Sequence, residues 1–192
     1  MFGHLQAPRR VVVTGMGIAC PLGLGVENVW KRMLAGESGI SAIHAFDPAN
    51  IPAKIAGQVP RGTRAEGGLD ISEWIPVKDQ KKMDRFIQLA LVAAQEAVED
   101  SGWMPPEDDV EGRNRTGVMI GSGIGGLPTI YEASQLVGSG RTKRLSPFFI
   151  PSALINLGSG HDLIDTPEPL PQAEPAMQDH SALFEELRTT AG

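Results

Sequence analysis

The charge of this chain divides at His161, and that division sets which part of it can fold. Residues 1–161 carry sixteen Lys and Arg against sixteen Asp and Glu, whereas residues 162–192 carry one basic residue, Arg188, and seven acidic ones. The whole formal net charge of −6 therefore belongs to the last stretch. Pro167, Pro169, Pro171 and Pro175 stand in that stretch as well. Such a composition cannot bury enough apolar surface to offset the entropy lost on folding, so Asp162–Asp179 is expected to be a disordered or extended tail. Ser181–Thr189 has a short helical pattern, with Ser181 as N-cap and Leu183, Phe184 and Leu187 on one face. The expected division is a folded body over residues 1–161 and an acidic, Pro-rich tail over residues 162–192.

Composition narrows the function classes. Apolar residues make up 41% of the chain, which excludes a wholly disordered polypeptide. A single cysteine excludes a disulfide scaffold and a Cys-based zinc cluster, and it fits a reducing compartment. No apolar run approaches the ~18 residues of a membrane span, and Met1–Arg10 lacks the apolar core of a signal peptide. A cytoplasmic chain without a membrane partner is expected. The body is neutral and aromatics are only 5%, so nucleic acid is not an expected partner.

Along the body, Arg9–Thr14 is a β-branched run ending at Gly15 and reads as a buried strand. Val26, Val29, Trp30, Met33 and Leu34 recur at helical spacing and predict an amphipathic helix closed by Gly36. Ile55–Val59 is a weaker strand, and Gly62–Glu73 a polar loop. The strongest helix is Asp84–Ser101, with Phe86, Ala90, Ala93, Ala94, Ala97 and Val98 as its buried stripe and Gly102 as its stop. Thr116–Ser122 reads as another buried strand, and Pro128 opens a helix reaching about Val137. The alternation of strand and helix implies an α/β layered fold.

Two glycine clusters invite a nucleotide-binding reading. Gly121–Gly126 matches G-x-G-x-x-G after a strand, but no acidic residue lies about 20 positions on to hold a ribose. The better reading is a strand-to-helix turn that needs close backbone packing. Gly15-Met16-Gly17 offers a still weaker version of the pattern. Cys20, before Pro21 in a turn, has no evident base beside it and reads as a buried structural cysteine. The histidines His4, His44, His161 and His180 are scattered, so no metal site is expected, and no cofactor. Lys78, Lys81 and Lys82 cluster before the long helix, and Lys143 and Arg144, with Arg141, cluster in a loop. By composition these are ordinary solvated charge, and the functional alternative is a patch for an acidic partner.

Five segments together point to a family. They are Arg9–Gly23, Val29–Ser41, Lys81–Gly102, Gly117–Leu127 and Ser146–His161, the last reading SPFFIPSALINLGSGH. In this order they resemble the N-terminal half of a β-ketoacyl-[acyl-carrier-protein] synthase of the type II elongating kind, over about residues 9–161. The resemblance implies a thiolase-like fold of αβαβα layers with two duplicated halves and a homodimeric subunit arrangement. It implies a decarboxylative condensation in fatty acid biosynthesis, joining malonyl-carrier protein to an acyl chain. The nucleophilic cysteine of that chemistry would sit at a helix N-terminus, and aimed donors would hold the developing oxyanion.

The resemblance also marks a departure. The family's Thr-Ala-Cys motif follows the Gly-His segment after a short strand-forming stretch, but here Gly160-His161 leads into Asp162-Leu163-Ile164-Asp165-Thr166-Pro167 and no cysteine follows. Cys20 and His161 do not match the catalytic positions, so no catalytic side chain carries over. By resemblance, Ile124 corresponds to the residue gating the acyl pocket, and Phe148 and Phe149 to residues near the dimer interface and the neighbouring acyl pocket. Lys78, Lys81, Lys82, Lys143 and Arg144 correspond to the basic patch that receives an acyl carrier protein. The expected chain is a truncated or frameshifted synthase, inactive alone. The alternative is a catalytically dead half-synthase that binds a carrier protein or a full synthase subunit. Without a second half, the apolar stripe of Asp84–Ser101 is expected to keep an uncovered side and the chain to be poorly soluble.

Overall fold

The computed structural model describes residues 10–106 and 108–165. The expected tail starts at Asp162, but its first residues, through Asp165, continue a helix that begins at Leu157, because the helical run does not stop at the charge boundary. Residues 166–192, with His180 and the helix expected at Ser181–Thr189, and His4 lie outside the described residues. Four short strands, β1 (Ala19–Cys20), β2 (Gly23–Leu24), β3 (Ile40–Ala42) and β4 (Ile55–Gly57), pair as two antiparallel hairpins, β1 with β2 and β3 with β4. The helices are α1 (Val26–Leu34), α2 (Val77–Gln80), α3 (Arg85–Ser101), α4 (Val110–Asn114), α5 (Leu127–Gly138), α6 (Phe149–Ala153) and α7 (Leu157–Asp165). They divide into two compact units. One gathers the chain through Pro76 with Val92–Met104, and the other gathers Val77–Leu91 with the chain from Pro105 on.

In the first unit the C-terminal half of α3 organises the amino-terminal segment. A Cβ on Gly15 would run into the carbonyl oxygen of Ala97, and one on Gly17 into that of Ala93. Only glycine lets the backbone lie this close to a helix. Carboxylates of α3 complete the attachment. Asp100 accepts the amide of Met16 at 2.9 Å, and Glu96 accepts those of Ile18 at 2.8 Å and Val26 at 3.0 Å. The Val26 bond has a clear reason. The residue capping α1 is Gly25, which has no side chain, so Glu96 reaches in from another helix to satisfy a first-turn amide. Leu24, Val29, Leu69, Ile75 and Val92 are the buried apolar side chains of this unit.

The second unit repeats the device. The N-cap of α5 is Gly126, again without a side chain, and the carboxylate of Asp84 accepts the Thr129 amide at 3.1 Å and the Thr129 hydroxyl at 2.6 Å. Met83, Ile87, Leu91, Ala133 and Ala153 are buried here. Gly126 also donates its amide to the Ala153 carbonyl at 3.0 Å, which joins the start of α5 to the end of α6.

Several expectations need correction. Arg10–Thr14 and Thr116–Ser122 are not strands. Val11 is 92% exposed, Val13 80% and Met119 97%. A central strand is held by ladder bonds to neighbours on both edges, and no such bonds reach either segment among the described residues. The helix predicted at Val26–Leu34 forms, but only Val29 is buried, while Trp30, Met33 and Leu34 face outward. The stripe expected on the long helix is half-buried, and the deepest positions of α3 are Ile87, Leu91 and Val92. Helical spacing alone selects Phe86 to Val98 as one face, and it does not weigh which positions neighbouring segments cover. Cys20 is half-buried rather than buried, since it ends a two-residue strand beside an exposed Pro21. The polar loop at Gly62–Glu73 contains two short 3-10 turns and the buried Leu69, and the weak strand appears as β4.

Candidate functional site

The site residues that the resemblance implies, Lys78, Lys81, Lys82, Ile124, Lys143, Arg144, Phe148 and Phe149, all fall in the second unit, whereas Cys20 and His44 fall in the first. Asp84 is 7% exposed, and its backbone carbonyl accepts amides from Ile87 at 3.1 Å and Gln88 at 3.3 Å, which starts α3. Its own amide donates to Ser152 at 3.3 Å. One residue thus caps α3 with its backbone, α5 with its side chain, and holds the end of α6. Sequence reasoning placed Asp84 only as a helix start. The available signal was a carboxylate between the apolar Met83 and Phe86, a position where an unpaired charge would be costly to bury.

The basic cluster ahead of α3 is held partly by its own chemistry. Lys82 donates to Asp79 at 2.6 Å, while Lys78 and Lys81 are exposed. The Asp79 carboxyl is held below its ordinary value, first by the hydrogen bond from Lys82 and further by the charges of Lys82, Lys78 and His161, against the opposing effect of desolvation. Lys143 and Arg144 are exposed on a 3-10 turn that follows α5. Lys82 lies two residues before Asp84, whose side chain caps the amino end of α5, and Lys143 and Arg144 follow the carboxyl end of that 12-residue helix, which is about 18 Å long.

Ile124 is 67% exposed on the glycine turn. The next residue, Gly125, has φ +76° and packs on the Ala153 carbonyl and the Ile155 side chain, so Ile124 stands beside the end of α6. Phe148 caps the other end of that short helix and Phe149 opens it; Phe148 is exposed and Phe149 half-buried. Gly125 and Gly126 are needed for close approach, whereas a Cβ on Gly121 or Gly123 would meet nothing within 4 Å. The turn thus fits the packing reading. It does not fit a phosphate cradle, because the amino end of α5, where an anion would be held, already carries the Asp84 carboxylate. Among the described residues no group of three or more His, Cys, Asp or Glu could hold a metal ion, and no helix is long and apolar enough to cross a membrane.

A profile of the beta-ketoacyl synthase N-terminal domain matches residues 8–161. The 3-oxoacyl-[acyl-carrier-protein] synthase 2 of Rhizobium meliloti (strain 1021) is 44% identical over 152 residues, which cover 79% of this chain and 36% of that protein. The chain thus spans about a third of the length of the curated relatives it matches. Among solved structures, the ishigamide ketosynthase/chain length factor superposes with a TM-score of 0.66 at 27% identity, covering 85% of this chain and 38% of that one. A type II PKS acyl-carrier protein in complex with its ketosynthase gives a TM-score of 0.54 at 20% identity, with 80% and 37% covered, a likeness of fold.

Proposed function

The chain belongs to the β-ketoacyl synthase family through its N-terminal domain, and from that membership we propose that it is the carrier-protein-facing part of a 3-oxoacyl-[acyl-carrier-protein] synthase of fatty acid biosynthesis. Its fold is that of the thiolase-like ketosynthases. In the proposed reaction a thioester-bound acyl chain condenses with malonyl-carrier protein. Carbon dioxide leaves, the resulting enolate attacks the acyl carbonyl, and the thiol that held the acyl group is released. By the resemblance, no residue from 1 to 192 matches the nucleophile or either histidine of that chemistry. What this chain contributes is recognition: Lys78, Lys81, Lys82, Lys143 and Arg144 toward an acidic carrier protein, and Ile124, Phe148 and Phe149 toward the acyl chain and a second subunit. A cytoplasmic location and a homodimeric parent subunit belong to the same proposal.

The observation that carries the reading is the match over residues 8–161, in which Lys78, Lys81, Lys143 and Arg144 stand exposed. A carrier protein of opposite charge would be steered toward these positions, which would speed and orient its encounter. The test measures binding of a fluorescently labelled bacterial acyl carrier protein to the chain by anisotropy. Binding that weakens by about tenfold in Lys78→Glu/Lys81→Glu and again in Lys143→Glu/Arg144→Glu supports the proposal. Binding indifferent to these reversals overturns the assigned patch. Mixing the chain with acyl- and malonyl-carrier proteins separates the two forms of the reading. Carrier binding without condensation fits a recognition half or a catalytically dead binding module, and 3-oxoacyl product from the chain alone refutes the assignment of its missing catalytic groups.

A further inference from the structure

We propose that Asp84 is a positioning residue that sets the acyl-pocket turn and ties it to the carrier-protein side of the same unit. The inference rests on the reading of Ile124 and the lysines given above, but its geometry stands by itself. Three segments meet at this residue, one through its carboxylate and two through its backbone. The first is the start of α3, which follows Lys81 and Lys82 directly in sequence. The second is the amino end of α5 with its glycine turn. The third is the end of α6, whose other end carries Phe148 and Phe149.

The contacts leave the turn little freedom. Asp84 fixes Thr129 through two bonds, at 3.1 and 2.6 Å. Its amide holds Ser152 at 3.3 Å, and the neighbouring Ala153 carbonyl takes the Gly126 amide at 3.0 Å. Ser122 Oγ accepts the Gly125 amide at 3.2 Å, which closes the turn on its other side. A Cβ on Gly126 would lie 2.9 Å from the Asp84 carboxylate and 2.7 Å from Ala153 Cα, so no side chain fits between these elements. Ile124 is the outward-facing residue of a turn gripped on both sides. Displacing Asp84 displaces the turn. A capping group on α5 itself would not link it to α3, but a carboxylate from the start of α3 does.

The role differs from general stabilisation in what its loss should disturb. Asp84→Asn keeps the shape and an acceptor but removes the negative charge from the amino end of α5. Thr129→Val removes only the 2.6 Å bond, and Thr129→Ser restores it. Hydrogen exchange by mass spectrometry is read on the full chain. The expected result is exchange about five- to tenfold faster in peptides covering 121–131 for Asp84→Asn, in the same direction for Thr129→Val, with rescue in Thr129→Ser and little change in the first unit. Unchanged exchange at 121–131, or a uniform rise across both units, overturns the proposal. If Asp84→Asn does not fold, the Thr129 pair decides alone.

The functional arm compares octanoyl-carrier protein with unacylated carrier protein. Asp84→Asn is expected to lose the preference of the wild-type chain for the acylated form by about tenfold while keeping affinity for the unacylated form. Faster local exchange with an unaltered preference overturns the link to the acyl chain. A wild-type chain that binds neither form overturns the carrier-protein reading instead, and the exchange result still decides whether Asp84 sets the turn.

Discussion

Gly15-Met16-Gly17 and Gly121–Gly126 present similar patterns, and the longer one is the more suggestive as a motif. The structure reverses that ranking. Both glycines of the short cluster lie where any side chain would strike the backbone of α3. In the long cluster Gly121 and Gly123 face open space, and only Gly125 and Gly126 are confined. A motif counts glycines; packing asks which of them meets another backbone. Each cluster precedes a helix that starts on a bare glycine and borrows a carboxylate for its first turn, Glu96 for α1 and Asp84 for α5. The shared logic is therefore helix starting and close approach, with no phosphate involved.

Substitutions sharpen the contrast. Gly17→Ala should have the largest effect, a loss of about 3 kcal/mol or more in a denaturant melt, because the obstacle is helix backbone that cannot turn aside. A change under about 0.5 kcal/mol would break the comparison at its stronger end. Gly125→Ala combines a left-handed φ with a Cβ 2.7 Å from the Ala153 carbonyl, and a loss of about 2 kcal/mol is expected by the same assay. Glu96→Ala strips the acceptor from the Ile18 and Val26 amides and should lower stability by about 1–2 kcal/mol. By contrast, Gly123→Ala should stay within about 0.5 kcal/mol of the parent. The smallest effect concerns Asp79. Its depressed pKa means that the Lys82 contact contributes fully above the ordinary aspartate range and is lost as pH falls through the lowered value. Melts of Asp79→Asn and the parent should differ slightly at neutral pH and converge in acid.

What could be read from sequence follows how local each feature is. α1, α3 and α5 are legible because helical spacing, Gly36, Gly102 and Pro128 all act within a few residues. The runs at Arg10–Thr14 and Thr116–Ser122 carry the composition of central strands, but a strand is completed by distant partners, and none is present among the described residues. Their exposed Val11, Val13 and Met119 are the clearest sign of apolar surface left open in these runs. The basic positions were visible as clusters, yet only the resemblance gave them a role. Asp84 escaped notice because its importance lies in Thr129 and Ser152, far away in sequence, and no local pattern announces a carboxylate that caps someone else's helix.

One feature of α3 bears on how the protein is made. The first unit needs Val92–Met104 as well as everything before Pro76, and the amide of Met16 waits for a carboxylate 84 residues further on. At a synthesis rate of about 5–20 residues per second, that partner emerges roughly 4–17 s later. Throughout this interval the Val11–Val13 run is in the open with its glycine anchor undocked. The nascent chain is then at its most adhesive, and a chaperone that shields this run during translation should raise the yield of folded protein more than one added after release.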